Sequence, residues 1–158
     1  MPSQFTRRQM LRETALATGG LCTCQVLAAF AAPSDCCNTP DLEPESYSIK
    51  DDQIVINLNK AASLLPGHAV FLSFPDREIE LIIVRPDPDS FVALSRFCTH
   101  GKQVVSYNAQ RGLLQCNSYN HSLFELDGAV FKGPSESPLA SYPTQLAENH
   151  LTVSLKGV

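Results

Sequence analysis

Charge is scarce in this chain: 18% of its 158 residues are charged, the formal net charge is -4, and part of the 12 Lys and Arg falls within the first dozen positions. No basic patch remains to track a phosphate backbone, which excludes nucleic acid as a partner. Long hydrophobic runs are missing from the main body, where none reaches the roughly 20 apolar residues that a membrane-spanning helix requires. An apolar period of 3.6 residues nowhere lasts beyond two turns, which excludes a helical bundle; the most that is expected is a short helical piece over 58–65. Internal repeats and low-complexity tracts are absent. So are a Ser-His-Asp order and a phosphate-cradling glycine loop.

What is there reads as strands. Short β-branched or aromatic runs occupy 53–58, 68–74, 79–84, 91–96, 103–107, 113–115, 123–125, 129–131 and 150–155, with turn residues between most of them. Pro86-Asp87-Pro88-Asp89 breaks one pair, and Asp127-Gly128 is a hairpin signal because Gly accepts the positive φ of such turns. The expected class is all-β and antiparallel, a small sandwich or barrel-like stack. The length suits one compact domain that is stable without a lattice of disulfides.

The first residues read as an address. Arg7-Arg8 stand directly before Met10-Leu11, and a weakly hydrophobic run rich in Ala, Leu and Gly follows over 15–32. The string resembles a twin-arginine export signal, with Met10 where Phe is commoner and Arg12 where Lys is commoner. Such signals export folded proteins, which implies a periplasmic location. Cleavage at Ala29-Phe30-Ala31 would release the domain, whereas an uncleaved 15–32 would tether it to the periplasmic face of the membrane. Residues 33–46, with Pro33, Pro40 and Pro44, read as an extended linker, and 47–158 as the folded domain.

Six cysteines fall into three groups. Cys22 and Cys24 lie in the leader and Cys36-Cys37 in the linker, where adjacent cysteines rarely pair with each other; none of these four is given a role. Cys98 and Cys116 stand apart, each accompanied by a histidine: Cys98-Thr99-His100, fifteen intervening residues, then Cys116 through His121. Each of two hairpin tips thus offers one thiolate and one imidazole. Three readings are open: a [2Fe-2S] cluster with two Cys on one iron and two His on the other, a tetrahedral zinc site, and a structural Cys98-Cys116 disulfide in an exported binding or structural module. The disulfide leaves both histidines without a purpose.

The residues from about 91 to 142 resemble the Rieske iron-sulfur family, whose pattern is Cys-x-His, a spacer of this length, then Cys-x-x-His. Gly101, Gly112, Phe124, Gly128 and the pair Gly133-Pro134 with Pro138-Leu139, similar to the family's proline loop, match as well. Two features depart from the pattern. Four residues separate Cys116 from His121 where the family has two, with Tyr119 at the usual His position, and neither loop carries the extra cysteine that bridges the loops in the quinol-oxidising branch. The resemblance implies a [2Fe-2S] cofactor held by Cys98, His100, Cys116 and His121, and an exported carrier of single electrons. Its implied partner is a redox protein: a catalytic subunit, as in oxidoreductases of the arsenite oxidase kind, or a cytochrome or quinol system. Phe124, where high-potential members carry a Tyr hydroxyl, implies a potential below the top of the roughly -150 to +300 mV family range, with Ser122 as a remaining donor.

Overall fold

The computed structural model describes residues 39–156; the expected leader 1–32 and all four of its and the linker's cysteines lie outside them. Among the described residues twelve strands form three antiparallel four-stranded sheets. They are β1 (Tyr47–Lys50), β2 (Gln53–Asn57), β3 (His68–Phe74), β4 (Ile79–Arg85), β5 (Val92–Ser95), β6 (Val105–Asn108), β7 (Leu113–Cys116), β8 (Leu123–Phe124), β9 (Val130–Lys132), β10 (Ser141–Tyr142), β11 (Thr144–Ala147) and β12 (His150–Ser154). The base sheet runs β1-β2-β12-β11, the middle sheet β10-β5-β4-β3, and the outer sheet β6-β7-β8-β9. The class is all-β, with only two 3-10 turns, Pro44–Ser46 and Pro75–Arg77, among the described residues.

Period-2 alternation explains the stacking. On β3 and β4, Val70, Leu72, Leu81 and Ile83 point to one side and join Ile54, Ile56, Leu151 and Val153 of the base sheet in one core. Their neighbours Ala69, Phe71, Ile82 and Val84 point the other way and meet Val105, Leu114 and Phe124 of the outer sheet in a second core. The middle sheet is therefore covered on both faces. That is why Leu81-Ile82-Ile83-Val84 is an unbroken apolar run, fully buried, instead of the in-out alternation of a one-faced antiparallel sheet. Each of these side chains contributes on the order of 1.5–3 kcal/mol through burial.

Two stretches differ from the reading of the sequence. The segment 58–65 forms turns rather than a helix: Lys60 N–H and Ala61 N–H both donate to Asn57 C=O (3.0 and 3.2 Å), and Leu64 N–H to Ala61 C=O (3.1 Å). Eight residues closed off by Pro66 are too few to offset helix nucleation. At the other end of the domain, packing begins before Tyr47. Pro40 C=O accepts from Phe71 N–H and Leu42 N–H donates to Phe71 C=O, both at 2.8 Å. Leu42 itself lies in the base core, so 40–46 straps onto the middle sheet.

Candidate metal centre

Two loops at one end of the outer sheet carry the chemistry. The first leaves β5 through Arg96, whose guanidinium pairs with Glu80 (3.1 Å) and stacks 4.0 Å over the Phe71 ring, rooting the loop on the middle sheet. It then turns tightly: Lys102 N–H donates to Cys98 C=O (2.9 Å) and Cys98 N–H to Gln103 C=O (2.8 Å), with Lys102 at φ 52°. The second loop joins β7 to β8 and closes through Cys116 N–H to Ser122 C=O (2.9 Å) and His121 N–H to Ser118 C=O (3.2 Å). Between the loops, Val104 C=O accepts from Asn117 N–H at 3.0 Å. This backbone bond holds together two loops that have no cysteine pair to bridge them.

A third segment covers both. The loop between β9 and β10 is exposed from Gly133 to Pro138 except at Ser135, which is 4% exposed and turns inward. It is pinned at three points. Gly133, at φ 118°, lies so close to the second loop that a Cβ would come within 2.6 Å of Ser122 Cα, so no other residue fits. Thr99 Oγ1 of the first loop donates to Ser137 C=O at 2.8 Å. Leu139 N–H donates to Gly128 C=O at 2.9 Å, at the β8–β9 hairpin.

Under this cover Cys98 and Cys116 are buried, both as free thiols, and no disulfide joins them. Their sulfurs and a ring nitrogen of the exposed His100 lie within 4.8 Å of one another. Cys98 Sγ is 3.1 Å from His100 Nδ1 and 3.3 Å from Ser135 Oγ; Cys116 Sγ is 3.2 Å from Ser118 Oγ. The Ser135 hydroxyl donates to Ser122 Oγ (2.8 Å), which also accepts from the Ser135 N–H (3.2 Å). Burial pushes the Cys98 thiol up, but hydrogen bonds from Ser135, His100 and Cys116 outweigh it and bring the group down to about 6. Burial pushes Cys116 up; Ser118 offsets part of this, and the negative charge on Cys98 adds to it.

His121 sits on the second loop but turns its Nδ1 to the backbone at the start of that loop, 2.9 Å from Cys116 C=O, with Gln115 Nε2 at 3.4 Å. Its φ of 34° is left-handed, uncommon for a side chain of this size. The structure thus gathers Cys98, His100 and Cys116 and leaves His121 beside them, while Tyr119 at the tip of the lengthened loop is 97% exposed. Two buried thiols, each with a serine hydroxyl in hydrogen-bond reach, and an imidazole facing solvent are a ligand set that fits a [2Fe-2S] cluster with mixed ligation: soft sulfur inside, nitrogen outside. Ser118 and Ser135, both against a sulfur, were not singled out from the sequence. The only signal for Ser135 was its place within the Gly133–Pro138 loop. His68 and His150 lie on exposed strand ends, away from this group.

A family model described as the Rieske [2Fe-2S] domain matches residues 49–143. No curated protein sequence matches the chain. Among solved structures, the ferredoxin of carbazole 1,9a-dioxygenase from Nocardioides aromaticivorans IC177 is similar, with 24% identity and a TM-score of 0.53 over 65% of this chain and 95% of that one. A complex of reduced oxygenase and oxidized ferredoxin in carbazole 1,9a-dioxygenase aligns at 18% identity and a TM-score of 0.56, covering 67% of this chain and 95% of its counterpart. The cyanobacterial plasma membrane Rieske protein PetC3 from Synechocystis PCC 6803 aligns at 24% identity and a TM-score of 0.47, covering 54% and 85%.

Proposed function

Because the chain belongs to the Rieske [2Fe-2S] domain family, we propose that it is an exported carrier that passes single electrons to or from a larger redox protein. The observation that carries this reading is the convergence of Cys98, His100 and Cys116 under a closed cover loop. When bound, a [2Fe-2S] cluster supplies one reducible iron whose potential follows its ligands and their hydrogen bonds. Cys98 and Cys116 would hold the inner iron, the low thiol of Cys98 favouring the thiolate that iron requires. His100, exposed at the tip of the first loop, would hold the outer iron and offer its imidazole edge as the contact toward a partner. His121 would take the fourth position on releasing the Cys116 carbonyl, because extra residues in a surface hairpin cost little in loop closure.

The Arg7-Arg8 leader supports export in the folded state and a periplasmic location, with 15–32 as the tether if it is retained. Among the described residues one such site and no catalytic constellation are found, which fits a subunit or carrier; the shared fold of a ferredoxin solved together with its oxygenase supports a protein partner.

The test is low-temperature EPR of the dithionite-reduced, anaerobically purified protein, with iron and acid-labile sulfide measured on the same sample. A rhombic signal at the average g of mixed Cys/His centres, lost in Cys98→Ser and in His121→Ala, is expected. Full iron and sulfide with an unchanged signal in His121→Ala would remove that residue from the ligand set. A colourless protein without iron would replace the carrier with an exported binding module.

A further inference from the structure

Between Gly133 and Pro138 of the cover loop Ser135 is the one buried residue, and its hydroxyl lies 3.3 Å from Cys98 Sγ. We propose that Ser135 raises the reduction potential of this site by donating a hydrogen bond to the Cys98 sulfur from the cover loop, in addition to any donor on the ligand loops. This rests on the reading of the site as a [2Fe-2S] centre.

The hydrogen-bond inventory leads there. Of the four buried polar side chains among the described residues, two, Ser122 and Ser135, stand at this site, and they bond to each other. Ser122 Oγ already accepts the Ser135 N–H. With Cys98 as a thiol, its S–H donates to Ser135 and the Ser135 hydroxyl to Ser122. A thiolate ligand has no proton to give, so both hydroxyls rotate: Ser122 O–H donates to Ser135 Oγ, and Ser135 O–H to Cys98 Sγ. Both arrangements satisfy every group with the heavy atoms in place. Phe124, fully buried beside the site, has no hydroxyl to compete for that sulfur.

A donor to a ligand sulfur stabilises the reduced state, which carries one more negative charge, and so raises the potential. Buried in low dielectric, this bond is stronger than an exposed one. Its geometry is fixed by backbone on both sides, since Gly133 is pressed onto Ser122 and Ser137 C=O is tied to Thr99.

The experiment is direct voltammetry of the full-length, cluster-loaded protein and its Ser135→Ala, Ser135→Thr and Ser122→Ala variants, with iron, sulfide and melting temperature recorded for each. The expected result is a lower potential in Ser135→Ala at unchanged cluster content, and a potential near wild type in Ser135→Thr, which keeps the hydroxyl. Ser122→Ala is expected to shift the potential in the same direction by less, because it only orients Ser135. A loaded Ser135→Ala protein with the wild-type potential overturns the inference. If the alanine variant does not load, Ser135→Gly, which also removes the hydroxyl, decides: loading with a lowered potential supports the inference, loading with the wild-type potential overturns it. Absence of a cluster in the wild-type protein would instead overturn the function proposed above.

Discussion

Gly133 shows how much one atom matters at this site. A methyl group there would meet Ser122 Cα at 2.6 Å and His121 C=O at 2.9 Å, and φ 118° is closed to side chains. Gly133→Ala should therefore destabilise the domain by about 1–3 kcal/mol of backbone strain alone, and lift the cover off the second loop. Chemical denaturation of the cluster-free protein would read the first effect, and the rate of cluster loss to a chelator the second. A variant as stable and as retentive as wild type would show that the loop yields freely. Residues of this kind divide by what the sequence can reveal. The Cys98-x-His100 and Cys116 spacing was legible because ligands must come in fixed chemical types at short separations. Ser135 was not, because a serine is an ordinary loop residue and its contact with Cys98 joins positions 37 apart in the chain.

Among the elements, the nine apolar runs all became strands, with ends that differ by at most two residues, because β-branched residues on a pleated face are a local signal. The three strands that the sequence did not announce, β1, β10 and β11, are short edge strands whose residues alternate between exposed and half-buried. They are strands because a neighbour offers an open edge: Thr144–Ala147 pairs along β12, and Ser141-Tyr142 along β5. Between β9 and β10 the cover loop depends on Leu139, which is 3% exposed and packs in the outer core. Leu139→Ala should cost about 2–5 kcal/mol. Because Leu139 N–H also fastens the loop to Gly128, cluster release in this variant should speed up more than in an equally destabilised base-core variant such as Leu151→Ala. Visible absorbance during chelator challenge checks this; equal rates would mean that the loop does not guard the site.

At the scale of the whole domain, the middle sheet belongs to two cores at once, and this was hidden in the sequence. The run Leu81-Ile82-Ile83-Val84 announces burial, but which side chain faces the base sheet and which the metal centre follows only from its register with Phe71, Leu72 and Leu94. Amides of β4, hydrogen-bonded to β3 and β5 and shielded on both faces, should exchange with solvent slowest of all. Those of β8 and β9, two and three residues long with an irregular register at Leu123/Phe124, should exchange first. Exchange followed by mass spectrometry or NMR would settle the order, and uniform protection across the three sheets would contradict it.

That uneven protection has a consequence for how long the loaded protein lasts. If β8 and β9 open first while the base and middle sheets stay closed on their own core, a bound cofactor would have an exit that does not pass through the unfolded state. The working lifetime of the holoprotein would then be a breathing rate of its thinnest layer. Strengthening the base core would raise the melting temperature and leave that clock unchanged.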